Sequence, residues 1–341
     1  MITACALGRR SHRQPFAYHH IRAMCADWIR FSDQPSASDL LVFAHPDDMR
    51  ECEDVLAEEV ERRPGVRVLL LSEEPFWDTI WGHRIFCRDQ RLEVRGQSIA
   101  YTYLNHQTSQ IFRFERVPYY LLTHHGFLPR YAKRFRRNAC VGKRDWKRHF
   151  ATAPLHAAFV AERRTSPRYD VAYPRQAVYG LAAFRSHLAA RFETHSVARE
   201  GRGWMKGKPR QKLRDWHLDK LQRFDMRCRL MSALENTHQN HYVSEKFFDA
   251  FALGAVPVYF ASTQHFVNRV APVESWINVF GLDAQKAAEM IDDFHVSDSF
   301  LDFYMEAQNA LSVLFSNLEA FLEERYRLYS ALREEVERVC A

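Results

Sequence analysis

Short apolar runs alternate along this chain with charged stretches that keep a helical period. Leu40-Leu41-Val42-Phe43-Ala44 has the makeup of a buried strand, and residues 47–62 after it place Met49, Cys52, Val55, Leu56 and Val60 at helical spacing. Pro64-Gly65 ends that helix, and Val66-Arg67-Val68-Leu69-Leu70-Leu71 reads as a second strand. The order strand, helix, strand predicts a parallel sheet. A further strand is expected over 99–103, and the apolar stretch 117–122 closes this first α/β region. Residues 126–150 break the rhythm, with Arg and aromatic residues in weak periodicity, as in a connection between domains. A second α/β pattern follows. It predicts a strand over 156–161 and a helix over 176–192 with Val178, Leu181, Phe184, Leu188 and Phe192 on one face. A strand is then expected over 228–234, a helix over 243–253 stopped by Gly254, and a strand over 256–260. From 299 to 339 a Leu/Phe stripe predicts one long helix or two, and its spacing is that of core packing.

At 341 residues the chain is longer than a single core supports, so two domains are expected, 1–150 and 151–341. A hydrophobic share of 47% with 13% aromatic residues excludes a disordered chain. The seven cysteines stand singly, with no C-x-x-C pair, which argues against a zinc site or a disulfide framework and for a reducing cytoplasm. Arg9-Arg10 is followed by no apolar run, and no stretch reaches the roughly 18 apolar residues of a membrane span, so neither a secretory signal nor an anchor is expected.

The net charge of +6 is concentrated in residues 130–148, where the cations from Arg130 to Arg148 face only Asp145, and in residues 199–229. Such clusters imply anionic partners, namely nucleotide phosphates, an anionic membrane surface or nucleic acid. Without an RNP-type aromatic motif, zinc-finger spacing or a KH-type loop, nucleic acid is not expected. Residues 130–148, interleaved with Tyr131, Phe135 and Trp146, suit peripheral contact with anionic lipid at the inner face of a membrane.

One ordered set of residues carries most of the chemistry. Leu234-Glu235-Asn236 is followed, five residues on, by Tyr242-Val243-Ser244-Glu245-Lys246 at the start of a helix, and then by Gly254-Ala255-Val256-Pro257-Val258. A helix start offers unbonded N–H groups and a positive dipole end, which favour an anion such as a diphosphate. Lys246 in the first turn runs against the dipole's preference for acids, which a phosphate facing it would explain. On spacing alone, a solvent-facing Glu245–Lys246 pair on an amphipathic helix is the favoured reading.

This set resembles the donor-site signature of the α-1,3/4-fucosyltransferases, family 10 of the glycosyltransferases, in its bacterial form: Phe-Glu-Asn, Tyr-Val-Thr-Glu-Lys, then Gly-x-x-Pro-Val. Here Leu234 replaces the aromatic residue and Ser244 the threonine. Upstream, Arg199-Glu200-Gly201-Arg202-Gly203-Trp204 with Lys206 and Lys208 is similar to the family's diphosphate-contacting segment, and Leu71-Ser72-Glu73-Glu74-Pro75 to the turn carrying its proposed base. The resemblance implies an α/β protein of two facing Rossmann-like domains, the GT-B type, with a helical C-terminus. It implies an inverting transfer of L-fucose from GDP-fucose, with the donor in the second domain and the acceptor in the first. The acceptor would be N-acetylglucosamine or a galactosyl-N-acetylglucosamine unit of a surface polysaccharide or lipopolysaccharide.

Within that reading Glu73 is the general base, with Glu74 as the alternative. Arg199, or Arg202 in its place, and Lys246 neutralise the leaving diphosphate, and Asn236, Tyr242 and Glu245 orient the donor. No Asp-x-Asp motif is present, and with cationic side chains available no metal is required. Trp77 and Trp81, near Glu73, have the spacing of packing residues. Two competing readings are the same fold with another GDP-deoxy-sugar, and a non-catalytic protein that binds RNA or a lipid surface.

Overall fold

The computed structural model describes residues 1–192, 196–204 and 212–341. Its contacts divide the chain into two compact units, residues 1–124 with 321–341, and residues 125–320.

The first unit holds a six-stranded sheet built from β1 (Ile2–Leu7), β2 (Ile29–Phe31), β3 (Leu40–Phe43), β4 (Arg67–Leu71), β5 (Asp89–Val94) and β6 (Gln97–Leu104), in the order β2-β1-β3-β4-β6-β5. All neighbours are parallel except the hairpin of β5 with β6, which turns through Arg95 and Gly96, both at positive φ. β3 and β4 fall where the apolar runs predict and pair in register, Leu40 with Arg67 and Phe43 with Leu70. β1 was not expected, because Ala4 and Ala6 dilute its β-forming signal, yet Ala4 and Cys5 are buried at the centre of the sheet. The single helix expected over 47–62 is two, Pro46–Glu51 and Glu53–Arg62, broken at Cys52.

The second unit carries a five-stranded parallel sheet of β7 (Leu155–Val160), β10 (Val197–Glu200), β11 (Cys228–Ser232), β13 (Val256–Tyr259) and β14 (Ile277–Asn278), in the order β10-β7-β11-β13-β14. Beside it β8 (Ala172–Tyr173), β9 (Val178–Gly180) and β12 (Thr237–His238) form a small antiparallel sheet. The helix expected over 176–192 loses its first turn to β9 and runs Ala182–Arg191, because pairing with β12 outweighs the helical spacing of Val178.

Counted in chain order within each unit, the central strands run 2-1-3-4 in both sheets, the doubly wound order in which ligands sit beyond the carboxyl ends of the strands at the point where the order reverses. The expected α/β class with parallel sheets is met.

Two further expected assignments differ from the structure. Residues 126–150 are not an irregular connection but two amphipathic helices, Phe127–Ala139 and Lys143–Thr152, that bury Phe127, Tyr131, Phe135, Trp146 and Phe150 within the second unit. Each such side chain contributes about 1.5–3 kcal/mol by leaving water, enough to override the charge density of the outer face. The C-terminal stripe forms two helices, Asp298–Ser316 and Leu318–Cys340, and the latter packs from Phe321 onward in the first unit rather than with residues 151–320. There Glu324 Oε1 accepts the backbone N–H of Glu115, Arg116 and Val117, and Glu335 pairs with Arg88 at 2.6 Å. An apolar stripe shows that a helix has a buried face but not which core receives it.

Candidate functional site

β11 ends at the reversal point of the second sheet, next to β7, and Ala233-Leu234-Glu235-Asn236 leave its carboxyl end. Glu235, 2% exposed, accepts hydrogen bonds from the Ser244 backbone N–H at 2.8 Å and the Ser244 hydroxyl at 2.7 Å. Ser244 is the N-cap of the helix Glu245–Ala252, so a side chain at the strand end fixes the helix start. Lys246 Nζ donates to Glu235 Oε2 at 2.9 Å and to Ser244 Oγ at 2.8 Å, and lies 3.6 Å from Glu245 Oε1. Burial works to lower the Lys246 ammonium, but the Glu235 and Glu245 carboxylates outweigh it and hold its pKa above the ordinary lysine value. Lys246 is therefore a charged ammonium at the positive end of a helix, not a surface pair.

The other end of that helix is equally constrained. Gly254 takes φ +73°, and a Cβ there would lie 2.4 Å from Met226 Sδ, so the stop reflects both conformation and space. In its second turn Asp249, fully buried, takes Tyr131 Oη at 2.6 Å, His217 Nε2 at 2.7 Å and Lys220 Nζ at 2.5 Å. Burial would raise the Asp249 carboxyl, but Lys220 and His217 hold it well below the usual range.

The expected donor residues are placed unequally. Asn236 leaves the strand end beside Glu235, and its carbonyl accepts the Leu181 N–H at 2.8 Å. Glu245 is buried in the helix's first turn, and its carbonyl lies 3.2 Å from Tyr131 Oη. Tyr242 is 1% exposed in the core, where its carbonyl accepts Tyr259 Oη at 3.4 Å. Arg199 lies on the edge strand β10 and donates to the carbonyls of Ala189, at 2.7 Å, and Phe192, as a cap on the helix Ala182–Arg191. Arg202 instead follows the carboxyl end of β10, its side chain 78% exposed and 3.3 Å from Glu162 Oε2. Gly201, at φ +124°, lets that turn approach the segment after β7, since a Cβ would lie 2.5 Å from the Ala161 carbonyl oxygen. Of the two arginines, Arg202 is the one at the carboxyl rim. Lys206 and Lys208 lie outside the described residues.

Sequence reasoning missed one further cation. Arg185, in the first turn of the helix Ala182–Arg191, donates to the Leu234 carbonyl at 3.5 Å, and its charge acts on Lys246. No motif marks it.

In the first unit, Ser72-Glu73-Glu74 leave the carboxyl end of β4. Glu73 is 1% exposed, and each of its oxygens accepts a phenol, Oε1 from Tyr18 at 2.8 Å and Oε2 from Tyr119 at 2.6 Å. Burial pushes the Glu73 carboxyl up to about 7, with Tyr119, Tyr18 and Arg13 pulling the other way. Glu74, more exposed, stands at the N-cap position of the helix Pro75–Trp81 without a side-chain capping bond and accepts Tyr120 Oη at 3.3 Å. A carboxyl titrating near neutrality can take a proton from a sugar hydroxyl, and this assigns the two glutamates different environments. Trp77 meets His45 edge-on and Trp81 meets it at a tilt, with centroids at 4.4 and 5.3 Å.

Among the described residues no group of three or more His, Cys, Asp or Glu side chains is placed to hold a metal ion, and no helix is long and apolar enough to cross a membrane. On the helices of residues 127–152, Arg130, Arg137, Lys143 and Lys147 pair with Asp215, Asp225, Asp302 and Asp298.

Comparison with known proteins gives a match to a family model over part of the chain. Residues 197–335 match the model of Glycosyltransferase family 10 (fucosyltransferase) C-term. No curated protein matches the chain. Among solved structures the chain is similar to a crystal structure of alpha1,3-fucosyltransferase, at 15% identity over 95% of this chain and 81% of that one, with a TM-score of 0.40. It is similar to that enzyme with GDP at 15% identity, over 94% and 92% of the two chains and a TM-score of 0.41. With GDP-fucose the values are 16%, 95% and 81%, and 0.38.

Proposed function

With residues 197–335 forming a glycosyltransferase family 10 (fucosyltransferase) C-terminal domain, we propose that the protein transfers L-fucose from GDP-fucose to a hydroxyl of an acceptor glycan, with inversion at the anomeric carbon. The observation that carries this reading is the Glu235–Ser244–Lys246 cluster inside the matched segment, which presents an ammonium and a helix start at the reversal point of a doubly wound sheet. The second unit takes the donor and the first takes the acceptor, N-acetylglucosamine or a galactosyl-N-acetylglucosamine unit.

Glu73 accepts the proton of the acceptor hydroxyl as its oxygen bonds to the anomeric carbon. The bond from that carbon to the β-phosphate oxygen breaks, and GDP leaves with the electron pair. Lys246 meets the charge that develops on the diphosphate, assisted by Arg185 and Arg202; the bonds of Arg199 to the Ala189 and Phe192 carbonyls favour Arg202 over it in that role. Glu245 and Asn236 accept and donate hydrogen bonds to donor hydroxyls, while Tyr242 acts from the core by fixing the loop between them.

Incubation with GDP-fucose and an array of glycans tests the reading: one deoxyhexose is added to an acceptor for each GDP released. GDP release from a different GDP-deoxy-sugar alone would transfer the reading to that donor. Salt-sensitive RNA or lipid binding with no affinity for GDP would replace it altogether.

A further inference from the structure

Arg130 and Tyr131 stand side by side on the helix Phe127–Ala139, and each grips a different neighbour within the second unit. Arg130 pairs with Asp215, the N-cap of the helix Trp216–Arg223, and its Nη1 donates to His217 Nδ1 at 3.1 Å. A guanidinium has no acceptor, so Nδ1 is the unprotonated nitrogen of that ring and the proton stands on Nε2. His217 Nε2 then donates to Asp249 Oδ1 at 2.7 Å, while Lys220 Nζ lies 2.5 Å from Oδ2. Tyr131, fully buried, places its hydroxyl 2.6 Å from the same Asp249 oxygen and 3.2 Å from the Glu245 carbonyl. Burial and Asp249 hold the phenol well above the ordinary tyrosine value, so it stays a donor.

These contacts reach the helix Glu245–Ala252 on one face. Glu245 and Asp249 are one turn apart and lie one above the other, whereas Lys246 is displaced by about 100° around the axis. From that second direction Glu235 holds Ser244 and Lys246. A helix start gripped from one side only can still turn about the grip, and a second grip roughly a quarter-turn away stops it. Tyr131 with Asp249 supplies that second grip. The Tyr131 ring packs against Phe127, Phe135 and Phe315, so the hydroxyl comes from a close-packed wall that does not follow the helix.

We propose that Tyr131 is a positioning residue for the sugar-nucleotide donor: its hydroxyl, on Asp249 and the Glu245 carbonyl, sets the rotation of the helix that presents Glu245 and Lys246. It touches no substrate and acts through that helix alone. The inference rests on the reading of this helix start as the donor site, but the geometry it concerns can be followed by GDP binding without turnover.

Tyr131→Phe in the full-length protein removes the hydroxyl and keeps the ring. Calorimetry with GDP is expected to show affinity weaker by about three- to ten-fold, the span of one ordinary hydrogen bond. KM for GDP-fucose rises with it, and KM for the acceptor is unchanged. A purely structural role would lower the fraction of folded enzyme and leave GDP affinity and both KM values where they were. Phe135→Leu supplies the comparison, because Phe135 packs on Tyr131 and Phe315 while the hydroxyl keeps its partners. That variant is expected to melt at a lower temperature than the parent and to bind GDP within about two-fold of it. The rise in melting temperature on adding GDP reads the same difference at the low protein concentrations that a less stable variant permits. Unchanged GDP affinity in Tyr131→Phe overturns the inference, as does an equal weakening in Phe135→Leu, which would trace the effect to the core at large. A parent that binds no GDP overturns the donor reading itself, and the role of Tyr131 falls with it.

Discussion

Each unit ends a parallel strand with a buried glutamate, in sheets whose central strands share one order, and the two glutamates are held in opposite ways. Glu235, after β11, is tied by an ammonium and a helix N-cap, so its charge is spent within the structure on Lys246 and Ser244. Glu73, after β4, is tied by two phenols, one on each oxygen. Burial raises both carboxyls, Glu235 against the pull of an ammonium and a serine, and Glu73, up to about 7, against two phenols and Arg13. Topology sets where a working residue sits, and the charge of its partners sets what it can do.

The strongest challenge to this contrast is Glu73→Gln. As a general base Glu73 is worth about 10²–10⁴ in rate, so transfer falls by that factor while GDP binding persists. Stability moves the other way. Burial raises the Glu73 carboxyl from its ordinary value to about 7, so the native state holds a proton that the unfolded chain releases, and stability is lost as pH rises from about 4.5 through about 7. At pH 8 the variant is expected to be more stable than the parent by up to about 3 kcal/mol, with the gap closing below pH 4.5, as followed by thermal melts across pH. A variant that is equally active, or less stable at pH 8, would show that Glu73 is an ordinary structural carboxyl.

Lys246→Met tests the other half. Loss of a preorganised cation at the leaving group is expected to cost about 10²–10³ in kcat/KM for the donor, with weaker GDP binding by calorimetry. It also leaves Glu235 buried without its ammonium, at a cost of about 3–5 kcal/mol in stability. The double variant Glu235→Gln with Lys246→Met separates the two effects. If the comparison is right, the melting temperature recovers and GDP affinity does not. Recovery of both would reduce Lys246 to a partner of Glu235.

How much of this the sequence displayed depends on how close in the chain the partners lie. Glu235, Ser244 and Lys246 fall within one loop and one helix turn, so their order alone pointed to an anion site, and the strand before Glu73 was plain from its apolar run. The partners of Glu73 were hidden: Tyr18 and Tyr119 stand 55 and 46 residues away, on segments with no shared pattern. Arg185 is likewise invisible, because only the pairing of β9 with β12 brings its helix start to Leu234. The bonds of Arg199 to the end of the helix Ala182–Arg191 were hidden for a related reason, since a motif fixes a residue's position in the chain but not which way an edge-strand side chain turns. The helix Leu318–Cys340 was recognised as amphipathic, but the core it enters is chosen by Glu324 and Glu335, whose partners lie some two hundred residues earlier.

The smallest expected effect is the most discriminating for the contrast itself. Tyr119→Phe removes one phenol from Glu73 and nothing from its charge balance. A hydrogen bond to an ionised group is worth about 1.5–3 kcal/mol, which corresponds to a rise of about one to two pH units in the carboxyl's midpoint. Because that bond favours the ionised form, its loss is felt where Glu73 is titrating and not where it is already ionised. Transfer is expected to drop several-fold to about ten-fold or more at pH 7 and to approach the parent's rate near pH 9, in a pH series of kcat/KM. An equal loss at every pH would mean that Tyr119 holds the glutamate's geometry rather than its charge, and the neutral-donor side of the comparison would then rest on Tyr18 alone.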